Sequence, residues 1–235
     1  MAVQVDAAIL SPLPLEFFDR DADTVARALI GTFLFTYDRD GNHTGGKIVE
    51  TEAYDQSDLA AHCFSGYGRE APDSSKAMLF EGGHAYLYYT SSLLCLNFVC
   101  DRAGFGSAVL IRALEPTVSS IPKMMERRGP YGPKNLTEKR LCNGPGVLCE
   151  ALAVCDSYYK RSFSKLSLFS PPFDLRLGLE SEAHSIACGP RIGIKKMLER
   201  NYPDLIASNP SELNIAIERE RRWGIKGSPF LSKPI

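Results

Sequence analysis

Apolar and polar positions alternate or recur along this chain in ways that set out its elements before any chemistry is considered. Val25, Ala28 and Leu29 recur at helical spacing behind Asp21 and Asp23, either of which can cap, and the pattern stops at Gly31. Phe33, Leu34 and Phe35 open a strand, Asp38 to Gly46 reads as a polar hairpin turn, and Lys47 to Tyr54 reads as the returning strand. Residues 55–83 form a long irregular stretch, and such loops in a compact domain are usually functional or disordered. Residues 84–100, dense in Tyr, Leu and Cys, predict one or two strands, and Ser107 to Leu114 predicts another, stopped by Pro116. A short helix is expected over Val147 to Val154 and a further one over Ile192 to Arg200, whereas 157–188 carries no strong signal. Strands dominate the first half and helices are scattered, so the fold class is α+β. Residues 1–14, ending in Pro12 and Pro14, read as a flexible arm ahead of a single domain over 15–235.

Composition narrows the function little. The hydrophobic fraction is 44% and the formal net charge is −1, which gives a normal core and no overall basic character. Local basic stretches are present at 123–140 (Lys123, Arg127, Arg128, Lys134, Lys139, Arg140) and at 219–226. They are either phosphate-contacting faces or solvated surface. Seven cysteines without CxxC spacing read as reduced, mostly buried thiols. The N-terminus lacks a basic n-region and no run reaches about 20 apolar residues, so a soluble, intracellular protein is expected, in cytoplasm, nucleoid or nucleus.

The candidate chemistry gathers on the strand Lys47–Tyr54. Period two puts Glu50, Glu52 and Tyr54 on one face, running into the loop that contains His62. That face is either a pocket mouth or a solvated edge. Arg112 is a charge inside the apolar run Val109 to Leu114, and it needs a partner. A salt bridge to Glu50, Glu52 or Glu115 is one answer. A guanidinium that helps a catalytic carboxylate orient a water is the other. Tyr54, Tyr86, Tyr88, Tyr89 and His62 supply flat faces that either stack nucleobases or fill a core. A metal site from Glu50, Glu52, Asp55, Asp58 and His62 has no HExxH-type spacing behind it. Ser162-x-x-Lys165 matches a nucleophile motif without its companions.

The order of motifs resembles that of the alkyladenine (3-methyladenine) DNA glycosylase family. The resemblance rests on Gly46-Lys47-Ile48-Val49-Glu50-Thr51-Glu52-Ala53-Tyr54, Ala60-Ala61-His62, Gly83-His84-Ala85-Tyr86-Leu87-Tyr88 and Cys95-Leu96-Asn97. It continues through Val109-Leu110-Ile111-Arg112-Ala113-Leu114-Glu115-Pro116, Leu141-Cys142-Asn143-Gly144-Pro145-Gly146, Arg191-Ile192-Gly193-Ile194 and Gly227-Ser228-Pro229. It spans about Leu15 to Ser232 and is poor over 153–186.

This resemblance implies a single mixed domain around a curved, mostly antiparallel sheet, open-barrel or roll-like, with surrounding helices. It implies a monofunctional enzyme that flips alkylated purines, deaminated or etheno purines included, out of double-stranded DNA and hydrolyses the bond to the sugar. Glu52 would be the general base. Arg112 would help hold the water, with the backbone carbonyl near Ile192. Tyr54, His62 and Tyr88 would sandwich the base, Asn97 and Leu110 would border it, and Arg69 would contact phosphate. No cofactor, metal or membrane enters this scheme, and a monomer is expected. The chain departs from the family at the hairpin after Tyr88, where relatives carry a Tyr-Gly-Met whose tyrosine wedges into the duplex. Here Tyr89, Leu93 and Leu94 are the candidates for that role. Two other classes remain: a non-catalytic lesion-binding protein of the same fold, and a metal-dependent hydrolase of small molecules.

Overall fold

The computed structural model describes residues 2–66, 70–90, 93–130, 132–155, 157–158, 160, 163–178 and 184–235. Eight antiparallel strands form one sheet that does not close: β1 (Phe33–Tyr37), β2 (His43–Asp55), β3 (Ala85–Thr90), β4 (Leu93–Val99), β5 (Ser107–Pro116), β6 (Phe173–Arg176), β7 (Ile186–Pro190) and β8 (Glu220–Ile225). The main path is β3-β4-β5-β2-β1-β6, and β7 joins through β8, which pairs with β2. Helices surround the sheet, so the α+β class and the antiparallel, unclosed sheet hold.

β2 organises the sheet. Along one edge it pairs with β5 from Gly46 to Asp55. Along the other, its first part pairs with β1 and Glu50 to Glu52 pair with β8. The sheet therefore forks where β2 passes from one neighbour to the next. The β2–β5 ladder is irregular at the same place: Ile48 faces Leu114, Glu50 faces Ala113, and Thr51 faces Ile111, which leaves Val49 and Arg112 each without a Cα partner. Bulges of this kind bend a strand and re-aim a side chain.

Turn chemistry shortens the first hairpin relative to expectation. Asp38 accepts the amides of Asp40 and Asn42, and Gly41 takes φ of +80°. The turn is complete by Asn42, and β2 starts at His43 rather than Lys47. Helix α1 (Ala22–Leu29) starts where Asp21 accepts the Thr24 amide at 2.9 Å, and Val25, Ala26 and Leu29 are buried. It packs on the face of β2 opposite the glutamates, where Thr51 donates to Ala26 O at 2.8 Å. Helices α2 (Ile121–Arg128) and α3 (Pro145–Ala151) pack on each other, and α3 packs on β4 and β5. Residues 194–218 fold into α4 (Ile194–Asn201), α5 (Pro203–Ser208) and α6 (Pro210–Glu218).

Three strands lie where no strand was expected: β6 and β7 within 157–188, and β8 in the stretch read as basic surface. β6 and β7 are short, four and five residues, and too short for a period-two pattern to stand out. Residues 2–14, expected as an arm, lie along the sheet: Val3 bridges Thr117, Pro12 bridges Arg176, and Leu10 is buried with Phe33 and Phe35. Of the cysteines, Cys63, Cys95, Cys100, Cys142 and Cys149 are buried, and all seven are free thiols.

Gly46 lies between both ladders of β2. A Cβ there would sit 2.4 Å from Glu115 O and 2.9 Å from Pro116 Cα, both on the backbone side of β5. Gly46→Ala should therefore destabilise the fold by about 3 kcal/mol, the upper range for overpacking. Thermal denaturation checks this, and a melt matching the parent protein would contradict it.

Candidate active site

The side chains of interest fall into one row across five strands. Residues directly opposite in an antiparallel ladder project to the same face. Arg222 faces Glu52, Glu52 faces Leu110, Leu110 faces Asn97, and Asn97 faces Tyr86. Two residues along the strands, Tyr54 faces Ala108 and Tyr88 faces Cys95, so these side chains share that face. The other face carries the main core, with Ala53, Leu87, Phe98, Val109 and Ile111. The amphipathic row thus separates an apolar core from a polar, aromatic floor.

Charge on that floor is balanced by construction. Glu50 and Glu52 are fully buried, and Arg112 and Arg222 nearly so. Arg112 Nε donates to Glu50 Oε1 at 3.0 Å and Nη1 to Glu52 Oε2 at 3.1 Å. Arg222 Nη1 donates to Glu50 Oε1 at 3.1 Å. Ser232 adds its amide to Glu50 Oε2 at 2.6 Å and its hydroxyl to Oε1 at 2.8 Å. Each buried ion would cost several kcal/mol alone, so the two carboxylates and two guanidiniums are stable only as a set. Burial opposes the charge on Arg112, but Glu52 and then Glu50 outweigh it and raise its pKa above the ordinary arginine value.

The two glutamates differ in what holds them. An ionised carboxylate offers about four acceptor positions. Glu50 bridges both guanidiniums: Arg112, Arg222 and the Ser232 hydroxyl donate to Oε1, and the Ser232 amide to Oε2. Glu52 receives three: Tyr54 Oη at 2.8 Å and Arg112 on Oε2, and the Ile192 amide on Oε1 at 2.7 Å. Its Oε1 can accept one more proton donor. Burial, and then the charge of Glu52, push the Tyr54 phenol well above its usual range, so it stays protonated and donates.

The aromatic side chains stand beside this carboxylate. Tyr88 lies 5.8 Å from Tyr86 in a stacked arrangement and 5.5 Å from His62, and His62 Nδ1 is hydrogen-bonded to the Tyr86 hydroxyl. His62 is exposed on one side, and burial on the other lowers its pKa, so the ring is neutral at pH 7. Asn97 is buried and donates through Nδ2 to Tyr86 O at 3.2 Å. Tyr54, His62, Tyr88, Asn97 and Leu110, picked from the sequence, are thus brought together around Glu52 and Arg112.

Arg69 and Ser162 lie outside the described residues, and Lys165 pairs with Glu81 at 3.0 Å. Several arginines of the basic stretches turn inward. Arg127 pairs with Asp38 at 2.6 Å, Arg128 caps Arg140 O and Leu141 O, and Arg221 pairs with Asp23 and Asp55. Lys134, Lys139, Arg140, Arg219 and Lys226 are the exposed cations of those stretches. Buried carboxylates needed counter-charges, and the chain supplied them from its basic runs. Among the described residues no group of three His, Cys, Asp or Glu is placed to hold a metal ion. Arg222, Ser232 and Arg191 were missed by sequence reasoning. A strand reading of Glu220–Ile225 would have found Arg222, since alternation puts it opposite Arg221.

A family model described as methylpurine-DNA glycosylase matches residues 16–210. This chain belongs to the methylpurine-DNA glycosylase family. Its chemistry is therefore hydrolysis of an N-glycosyl bond in DNA repair. The chain is similar to proteins named “putative 3-methyladenine DNA glycosylase” in three bacteria. It is 40% identical to the one from Nitrosospira multiformis over 92% of both chains, and 40% identical to that of Agrobacterium fabrum over 94% of this chain and 92% of the relative. Identity to that of Rhodopseudomonas palustris is 39% over 99% and 97%. Among the described residues, no helix of this glycosylase is long and apolar enough to cross a membrane.

Glu50 alone bridges Arg112 and Arg222, which makes it the structural member of the pair. Glu50→Gln leaves Arg112 and Arg222 with one carboxylate charge between them, and should lower stability by about 3 kcal/mol. Glu52→Gln should cost less. Chemical denaturation of both variants checks this order, and the reverse order would show that Glu52 holds the cluster together.

Proposed function

We propose that this glycosylase extrudes an alkylated purine from a DNA duplex, receives it between Tyr54, His62 and Tyr88, and hydrolyses its bond to the sugar with Glu52 as general base. The observation that carries this reading is that Glu52, a carboxylate held by Tyr54, Arg112 and the Ile192 amide, stands in one row with Leu110, Asn97 and Tyr86. A carboxylate so held has a fixed orientation and can take a proton from one water. The same negative charge stabilises the oxocarbenium-like sugar that forms as the base departs.

Extrusion costs a few kcal/mol, and stacking offsets it. Alkylated purines are electron-poor and some are cationic, so aromatic faces attract them. A neutral His62 adds no repulsion toward such a base. Asn97, in line with Glu52 and Leu110, borders the place where a guanine amino group would project. None of the partners of Glu52 is an amine, which fits a monofunctional enzyme that leaves an abasic site in an unbroken strand. Deaminated and etheno purines belong to the same proposal. Arg69 and the exposed cations of 134–140 would contact phosphates.

Incubation with duplexes that each carry one defined lesion, followed by measurement of free base and of strand integrity, tests this. Release without strand scission, unaffected by EDTA, is expected. Glu52→Gln should bind lesion DNA as before and lose excision by about 10²-fold or more. Comparable excision by that variant removes Glu52 from the role.

The hairpin between β3 and β4 is proposed as the wedge. Tyr89 and Leu93 are 41% and 38% exposed at its end, whereas Leu94 is buried in the core, which removes it as a candidate. An apolar or flat side chain at an exposed tip can enter between base steps. Tyr89→Ala and Leu93→Ala should each reduce excision from a paired duplex more than from a bulge, where unpairing costs less. Full activity of both variants on paired DNA would place the wedge elsewhere.

A further inference from the structure

Tyr54 divides two packed regions. Its ring touches the cluster that holds Tyr86, Cys63 and Ala108 on one side and the cluster that holds Leu59, Ile194 and Ala216 on the other. The aromatic floor belongs to the first. Arg191 reaches Tyr54 from the second, with its Cζ 4.7 Å from the ring centroid. Its side chain is fully buried and its Nη2 lies 2.8 Å from Asp58 Oδ2. Nη1 donates to Ala53 O at 3.0 Å and Nη2 to Ala216 O at 3.3 Å. Its Nε is buried with no hydrogen-bond partner among the described residues.

We propose that Arg191 is a specificity-determining positioning residue, whose guanidinium at the back of the Tyr54 ring shifts preference from cationic toward neutral purine bases. The inference rests on the reading that Tyr54 stacks the flipped base. A cation behind the ring draws on the same π-electrons that would attract a cationic base in front of it. The two sides of the ring therefore compete. Hydrolysis moves an electron pair from the glycosidic bond onto the base. A cationic base keeps part of its positive charge in the transition state, and Arg191 opposes it. A neutral base gains negative charge there, and Arg191 favours it. Asp58 reduces this field without cancelling it, because the guanidinium is the group stacked on the ring.

The test compares 7-methylguanine, which is cationic in DNA, with hypoxanthine, which is neutral. Release (kcat/KM) and duplex affinity are measured for both lesions in the same sequence. Arg191→Met should raise the 7-methylguanine to hypoxanthine ratio about five-fold, a size expected for a screened charge across one ring. Arg191→Lys keeps the charge and should hold the ratio near that of the parent. Asp58→Asn removes the counter-charge and should move the ratio the opposite way, which keeps the proposal testable if Arg191→Met does not fold. Equal losses on both lesions, or an unmoved ratio in Asp58→Asn, would overturn it and leave Arg191 a packing residue. If the parent protein releases neither base, the glycosylase assignment of this site fails by itself, and the affinity ratios of the same variants still decide the role of Arg191.

Discussion

The whole arrangement depends on keeping four charges inside the protein at the fork of β2. Glu50 and Glu52 are fully buried on that strand, and each is viable only because Arg112 from β5 and Arg222 from β8 are at hydrogen-bond distance. A hydrophobic set of the same size would cost less to bury. Glu50 bridges both guanidiniums and Ser232, and Glu52 is fixed by Tyr54, Arg112 and the Ile192 amide.

The irregularity of the sheet serves this. Regular pairing of β2 with β5 would give Arg112 an ordinary Cα partner, but bulged residues at Val49 and Arg112 interrupt it where β2 changes neighbours from β1 to β8. The bulges cancel, so the register of Thr51 and beyond is restored. Glu52, Leu110, Asn97 and Tyr86 then lie in line, and the aromatic wall stands at a set distance from the carboxylate. Glu52, Leu110, Asn97, Tyr86 and Tyr88 stand on strands, and His62 comes from the loop after β2.

Arginine has three separate uses around this floor. Arg112 and Arg222 neutralise the glutamates, Arg221 locks α1, the end of β2 and the loop after it to β8 through Asp23, Asp55 and Asp58, and Arg191 backs Tyr54. A net charge of −1 therefore conceals a strongly polar interior. Counting basic residues along the chain overstated the positive surface, because a buried guanidinium and an exposed one look alike in a sequence.

Local rules made much of this protein legible. Asp21 before an apolar 3.6-residue pattern determined α1, a polar glycine-bearing turn determined the first hairpin, and period two put Glu50, Glu52 and Tyr54 on one face. A charge within the apolar run of β5 required a carboxylate partner, and Arg112 has two. The motif series led to the family, which the comparisons bear out. Tertiary structure alone decided the rest. β6, β7 and β8 are strands because long-range partners complete their ladders, and four- to six-residue segments carry too little periodicity to announce themselves. What fixes each glutamate depends on Ser232 and Ile192, residues 182 and 140 positions away along the chain. Arg191 meets Tyr54 only after the chain has crossed most of the fold. Spacing in a sequence encodes neighbours within one element, whereas electrostatic compensation is set by distance in space, and no local pattern records that distance.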